Sequence, residues 1–267
     1  MTRALVALAL LAGAATAPFG SPAPPGEGGA RAPGVGQGRA YGFGQPVLPN
    51  PPYDGQFTFV RLRYGPETRM VSQRLPWSHD YPTGERHFMK ILEEVSYVRP
   101  KTEETSIYGL DDPELFKHPI AYMAEPGYWL ITETEAAAFR AYLLKGGFVI
   151  FDDFSGDRGG WASFEYAFRR VLPEARFYDL DPSHNIFHSF FQIDSFDILP
   201  QAYDVGRPVL RAVFEDNDPQ KRMIAMINYN TDISEYWEEA GMGFHPTWET
   251  NEAYKLGVNY VLYGLTH

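Results

Sequence analysis

The sequence predicts one α/β domain with a mostly parallel β-sheet and helices on both faces of the sheet. Apolar segments with strand spacing alternate along the chain with segments of helical spacing, which is typical of this architecture. Two late strand segments, 209–214 and 223–228, are joined by the turn sequence 216–219, so we expect an antiparallel hairpin there. A hydrophobic content of 44% is sufficient for a substantial core.

The first half of the domain contains three predicted strands and one predicted helix. In FTFVRLRYG, apolar and basic residues alternate, which is strand spacing. The following helix is expected to have Thr83 as its cap and the residues Phe88 and Leu92 on its apolar face. The segments 106–108 and 120–123 are the next predicted strands.

The second half continues the alternation. Residues 132–135, TETE, form a capping box, which predicts the start of a helix that ends at the glycine pair 146–147. The apolar segment 148–151 is the next strand. Helices are then predicted at 161–172 and, near the end of the chain, at 249–262.

Charge and cysteine content exclude several classes of function. The formal net charge is −11, from 23 basic and 34 acidic residues, which argues against nucleic acid as a partner. The chain has no cysteine, so disulfides, thiolate metal sites and a cysteine nucleophile are excluded.

The first residues predict export from the cytoplasm. Arg3 precedes the apolar run Ala4–Ala14, and a small-x-small cleavage pattern ends at Ala17, so residues 1–17 are predicted to be a signal peptide. The alternative is an uncleaved anchor, which would be the chain's one membrane contact; in either case the domain is periplasmic or secreted. The Pro/Gly-rich residues 18–54 are predicted to be a disordered spacer, and residues 55–267 to be the folded domain.

Polar residues follow several of the predicted strands, at the sheet edge where α/β proteins bind their ligands. We therefore expect a crevice that is acidic, aromatic and partly amidic. Its predicted ligand-binding residues are Trp77, His79, Asp80, Tyr81, Glu125, Asp152, Asp153, His184, Asn228 and Asn230.

Asp152 and Asp153 are the strongest candidates, because they end the segment FVIFDDF. Successive strand residues point to opposite sides, so one carboxylate is expected to face the crevice and the other to bind loop or helix amides. Alternatively, one could act as a general acid and the other as a general base, or both could provide oxygen ligands to a divalent cation.

Histidines and a later acidic run provide further candidates. His79 beside Asp80 could be a base or metal ligand, or a solvated residue of an anchored loop. His184 and His188 are interpreted mainly as packed histidines, with His184 kept as a candidate at the sheet edge. The acidic run 232–239 is expected to be a solvated helix face, with a closing lid as the alternative.

Six segments together resemble a bacterial family known as domain of unknown function 4159. They are FTFVRLRYG, WSHDYP, PIAYM, GGFVIFDDF, HNIF and GVNYVLYGLT. The resemblance implies a three-layer fold that is flavodoxin-like and similar to class I glutamine amidotransferases, in exported or membrane-associated proteins. It implies no reaction.

The same resemblance argues against glutaminase activity. Amidotransferase-like enzymes with that activity carry a cysteine or serine nucleophile on a sharp turn after a central strand. Here the comparable strand ends in Asp152 and Asp153, and the nearby Ser155 lacks the glycine pattern of such a turn. A hydrolase built on Ser155 and His184 is therefore not favoured.

Two functions from different classes follow from the sequence. The first is an exported, non-catalytic module that binds a polar ligand, such as a glycan, or an envelope protein, with no cofactor. The second is a hydrolase outside the cytoplasm that uses Asp152 or Asp153 with His79, Asp80 and His184. It would be assisted by a divalent metal whose candidate ligands are His79, Asp80 and Asp153.

Overall fold

A computed structural model of the chain describes residues 45–66, 70–72, 74–154, 160–197, 199 and 207–267. The predicted signal peptide, most of the predicted spacer and Ser155 lie outside the described residues. In the described part, no helix has both the length and the apolar character needed to cross a membrane.

Nine strands and five α-helices make up the regular structure of the described residues. The strands are β1 Gln45–Pro46, β2 Phe59–Arg63, β3 Met70–Val71, β4 Thr105–Gly109, β5 Ile120–Ala124, β6 Phe148–Phe154, β7 Tyr178–Asp179, β8 Val209–Phe214 and β9 Met223–Tyr229. The helices are α1 Thr83–Val95, α2 Glu133–Leu144, α3 Gly160–Val171, α4 Ile233–Glu238 and α5 Thr247–Thr266. Short 3₁₀ helices occur at Pro76–Ser78, Pro113–Lys117, Pro126–Tyr128, Asn185–His188 and Glu215–Asn217.

The predicted α/β fold class is confirmed. Seven strands form one sheet in the order β4-β2-β5-β6-β9-β8-β7, and β4, β2, β5, β6 and β9 run parallel. The hairpin of β8 and β9 is antiparallel, as expected from its turn sequence. The small strands β1 and β3 form a separate antiparallel pair. The arrangement is consistent with a flavodoxin-like, three-layer fold.

The central strand β6 shows why the sheet has two apolar faces. All seven of its residues are buried. Val149 and Phe151 belong to the core cluster that contains residues of α2 and α3, whereas Phe148 and Ile150 belong to the cluster with residues of α1 and α5. Successive side chains of a strand point to opposite faces, so a continuous apolar run buries both faces at once.

Helix ends test the local predictions. Thr132 caps α2 in a complete capping box with Glu135, as predicted. The prediction that Thr83 caps α1 is wrong, because Pro82 occupies the cap position and Thr83 is the first helical residue. Helix α5 is longer than predicted at both ends, from Thr247 to Thr266, and Tyr263, beyond the predicted end, belongs to the core cluster.

Candidate functional site

A cluster of one histidine and three aspartates lies at the carboxyl edge of the parallel strands. One nitrogen or oxygen atom from each of His79, Asp80, Asp153 and Asp232 lies within 4.8 Å of the corresponding atoms of the others. The exposed fractions of Asp80, Asp153 and Asp232 are 0%, 1% and 4%. These four residues are called the acidic cluster below.

Three parts of the fold bring the acidic cluster together. His79 and Asp80 directly follow the 3₁₀ helix Pro76–Ser78, on the connection from β2 to α1. Asp153 is the penultimate residue of β6, and Asp232 is the N-cap of α4, after β9. Because β2, β6 and β9 are parallel, their following segments meet at the same edge of the sheet.

Unusual backbone conformations occur at several of these acidic residues. Asp80 and Asp153 have φ values of 61° and 63°, and the neighbouring Glu125 has φ 44°. The pairing of β6 with β9 shifts register between Phe151 and Phe154, so Asp153 lies within an irregularity of the strand. Left-handed conformations at non-glycine residues cost roughly 1–3 kcal/mol each and concentrate at functional sites.

His79 lies at the solvent side of the acidic cluster. Its Nδ1 is 3.1 Å from Asp153 Oδ2, 3.7 Å from Glu125 Oε1 and 3.9 Å from Asp80 Oδ1. The side chains of His79 and Glu125 are 31% and 22% exposed. These two residues are partly exposed to solvent and lie against the buried carboxylates.

Asp152 has different surroundings from Asp153. Its Oδ1 accepts a hydrogen bond from Asn228 Nδ2 at 2.8 Å, and its Oδ2 accepts one from the Tyr122 hydroxyl at 2.8 Å. The backbone N–H groups of Ile233 and Ser234 also donate to Oδ2, at 3.1 and 3.2 Å. Asp152 thus holds the first turn of α4 against the sheet, and Asp153 faces His79.

A serine hydroxyl connects two carboxylates of the cluster. Ser234 Oγ is 2.6 Å from Asp80 Oδ2 and 3.0 Å from Asp232 Oδ1. A serine has one hydroxyl proton and can donate to one of these oxygens at a time. Ser234 therefore links the first turn of α4 to the segment that follows the 3₁₀ helix Pro76–Ser78.

Burial and mutual repulsion act on the acidic groups. Burial, followed by the charges of neighbouring carboxylates, raises the pKa of Asp153 and of Asp232 well above the ordinary aspartate value. Burial, and then the charge of Asp80, raises the pKa of Glu235 and of Glu238 to about 7. Burial and mutual repulsion therefore both favour the protonated, neutral form of these carboxyl groups.

The pKa of His79 is also raised, against the effect of burial and by neighbouring charge. Burial alone would lower its pKa, but the surrounding carboxylates, led by Asp80 and Glu125, raise the pKa of His79 above its ordinary value.

The nearby buried guanidinium of Arg61 is already paired with Glu85. Arg61 also donates to the Trp77 carbonyl at 3.0 Å, so its charge is divided among several partners.

Several residues predicted for the crevice do not join the acidic cluster. Trp77 is buried and is not a binding lip, because its ring packs in the core below the 3₁₀ helix. Tyr81 is half-buried, with its ring centroid 6.0 Å from the Arg61 guanidinium carbon. Neither aromatic residue belongs to the acidic cluster.

The predicted asparagines and His184 also have other surroundings. Asn228 is fully buried and accepts a hydrogen bond from the Tyr260 hydroxyl at 2.9 Å, besides donating to Asp152. Asn230 is buried, and its backbone N–H donates to the Phe154 carbonyl at 2.8 Å. The ring centroid of His184 lies 5.8 Å from that of Phe214. Phe214 ends β8, which is antiparallel to β9, so its end lies at the opposite edge of the sheet from the acidic cluster.

The acidic run after β9 was expected to be solvated, and this expectation is wrong for Asp232. Asp232 is buried, and its side chain accepts a hydrogen bond from the Glu235 N–H at 2.9 Å as the N-cap of α4. The signal was in the sequence, because an aspartate three residues before a glutamate, directly after a buried strand, marks a helix start at the ligand-binding edge.

The family model described as Domain of unknown function (DUF4159) matches residues 58–265, which include the whole acidic cluster. The chain belongs to this family. No curated protein matches the chain. The likeness of the DUF4159 domain to glutamine amidotransferases stays a prediction.

Proposed function

We propose that this domain binds a divalent cation in the acidic cluster and uses the bound cation to hydrolyse a polar substrate outside the cytoplasm. The supporting observation is the convergence of His79, Asp80, Asp153 and Asp232, whose potential ligand atoms lie within 4.8 Å of one another. Buried carboxylates are normally paired with positive charge or coordinated to metal, and a bound cation would supply that positive charge to the acidic cluster.

The ligand types favour particular cations. Three carboxylates and one imidazole suit Mn²⁺ or Zn²⁺, since imidazole nitrogen is a good ligand for transition metals and carboxylate oxygen is accepted by both. Mg²⁺ and Ca²⁺ prefer sites made of oxygen ligands alone. A water bound to such a cation becomes more acidic, which makes hydroxide available near neutral pH.

Glu125 would provide the proton transfers. Glu125 Oε1 lies 3.7 Å from His79 Nδ1. Burial raises the pKa of Glu125, and the charge of His79 partly offsets this effect. Glu125 therefore suits the role of a general base that takes a proton from water and returns it to a leaving group.

A second candidate is a non-catalytic module that binds a polar ligand or an envelope protein at the same edge. This candidate is favoured by the position of Ser234, whose buried hydroxyl lies between the carboxylates of Asp80 and Asp232 and is therefore not placed as a nucleophile. The chain also has no cysteine to act as a nucleophile. Export is supported for both candidates by the apolar run Ala4–Ala14 after Arg3.

Metal content and hydrolysis can be tested on the same preparations. The purified protein is stripped with chelator, reloaded with Mn²⁺, Zn²⁺, Mg²⁺ or Ca²⁺, and its melting temperature and metal content are measured. Hydrolysis is then assayed with the p-nitrophenyl phosphate, acetate and glucoside. His79→Ala is the test variant, and His184→Ala, at the opposite edge, is the matched control.

We expect Mn²⁺ or Zn²⁺ to bind, to raise the melting temperature and to support hydrolysis of at least one ester or glycoside. The His79 variant should lose both properties, and the His184 variant should keep them. Cation binding without hydrolysis of any substrate would favour the non-catalytic module. If no cation changes the melting temperature, the proposed metal site is wrong.

A further inference from the structure

The connection between α4 and α5, together with the first turn of α5, displays three large apolar side chains to solvent. Met242, Phe244 and Trp248 are 54%, 64% and 55% exposed, within one short segment of the chain. Large apolar residues concentrated in this way on a protein surface commonly mark an interaction site. The segment 241–248 is called the apolar loop below.

The apolar loop has a defined conformation. Gly241 and Gly243 have φ values of 78° and 82°, a left-handed conformation that glycine adopts without strain. His245 anchors the loop, since its Nε2 is 2.9 Å from Glu239 Oε2 and its ring centroid is 4.2 Å from that of Tyr236. The His245 side chain is therefore partly buried, whereas those of Met242 and Phe244 are exposed.

The surroundings of the apolar loop are acidic. Between Asp232 and Tyr254 the chain has no lysine or arginine. In that interval it has six carboxylates: Asp232 is buried in the acidic cluster, and the partly exposed ones are Glu235, Glu238, Glu239, Glu249 and Glu252. An anionic membrane would be repelled by this charge, whereas a basic segment of a protein would be attracted to it.

The geometry points to the apolar loop as a docking surface for a partner protein that presents a basic, apolar segment. Apolar side chains of the partner would cover Met242, Phe244 and Trp248, and its lysines or arginines would face the surrounding carboxylates. Aromatic and methionine side chains are the residues that interface cores favour, with charged groups at the rim. This inference does not depend on the proposed hydrolysis.

The test uses a fluorescent synthetic peptide of alternating lysine and leucine as the probe. Binding to the whole protein is measured by fluorescence anisotropy at physiological salt. The test variant replaces Met242, Phe244 and Trp248 with serine. The matched control replaces three other exposed residues with serine, namely Tyr97, Leu144 and Tyr166. Melting temperatures establish that both variants are folded.

We expect the loop variant to bind the peptide about 10-fold more weakly or worse, and the control variant to bind like the original protein. Peptides in which serine replaces leucine, or glutamate replaces lysine, should bind at least about 10-fold more weakly. Equal affinity of the loop variant and the original protein would overturn the inference.

Two further outcomes would assign the surface to another occupant. The first is binding of the protein to phosphatidylcholine or phosphatidylglycerol vesicles that is lost in the loop variant, which would indicate a membrane. The second is dimerisation in sedimentation velocity that is lost in the loop variant, which would indicate a second copy of this chain. Either result, without peptide binding, overturns the assignment to a basic partner.

Discussion

Replacement of Asp153 by asparagine removes one charge from the acidic cluster with almost no change in side-chain size. Two full negative charges separated by 4.8 Å, the outer limit of the ligand-atom spacing, repel by about 3 kcal/mol at an effective dielectric constant of about 20. Burial raises the pKa of the Asp153 carboxyl, so the relief is smaller than that limit. We expect the cation-free Asp153→Asn protein to gain about 1 kcal/mol at pH 8, or roughly 2–4 °C in melting temperature.

Cation binding should change in the opposite direction. The variant loses both a ligand oxygen and a negative charge, so its affinity for Mn²⁺ or Zn²⁺ should fall at least 10-fold, about 1.4 kcal/mol. Differential scanning calorimetry with and without the cation gives both stabilities. Isothermal titration calorimetry gives the affinity. We therefore expect the variant to be more stable than the original protein without the cation and to bind the cation more weakly.

Asp152→Asn is the matched control, because Asp152 lies next in sequence but accepts four hydrogen bonds that organise α4. An asparagine cannot accept at both terminal atoms, and loss of hydrogen bonds to a buried charged group costs about 1.5–3 kcal/mol each. This variant should be destabilised yet still respond to the cation. If Asp153→Asn is destabilised to the same degree and its cation response is unchanged, the cluster is a structural hydrogen-bond network and our reasoning fails.

Three further outcomes follow from the structure. Because burial and then Asp80 raise the pKa of Glu235 and Glu238 to about 7, the folded cation-free protein keeps protons that the unfolded chain releases above about pH 4.3. Its melting temperature should therefore fall between about pH 5 and 7, with the largest rescue by Mn²⁺ at the upper end; a flat profile would contradict this. Arg61→Met leaves the buried Glu85 without its ion-pair partner and should cost about 3–5 kcal/mol in urea unfolding, and the double Arg61→Met/Glu85→Met variant should recover most of the loss. Gly257→Ala would place a methyl group 2.6 Å from two aromatic rings and should cost about 1–3 kcal/mol by thermal unfolding, unless α5 moves as a unit.

Local patterns were enough to predict the architecture. The apolar run of β6, the TETE capping box before α2 and the turn sequence between β8 and β9 each specify an element through neighbouring residues alone. Parallel strands then place their following segments at one edge, so the general position of the acidic residues after β2, β5 and β6 also followed from the sequence.

The membership of the acidic cluster was decided by the tertiary structure. Asp232 was expected to be solvated and is buried in the cluster, whereas His184 was a candidate for the edge and packs at the other end of the sheet. The direction of Asp80 and Asp153 depends on left-handed backbone conformations of 61° and 63°, which aspartate tolerates but does not require. Only packing of α4 against the sheet, through the hydrogen bonds of its first turn to Asp152, brings Asp232 to the same point. The sequence by itself therefore determined which strands end in carboxylates, and long-range packing decided which carboxylates meet.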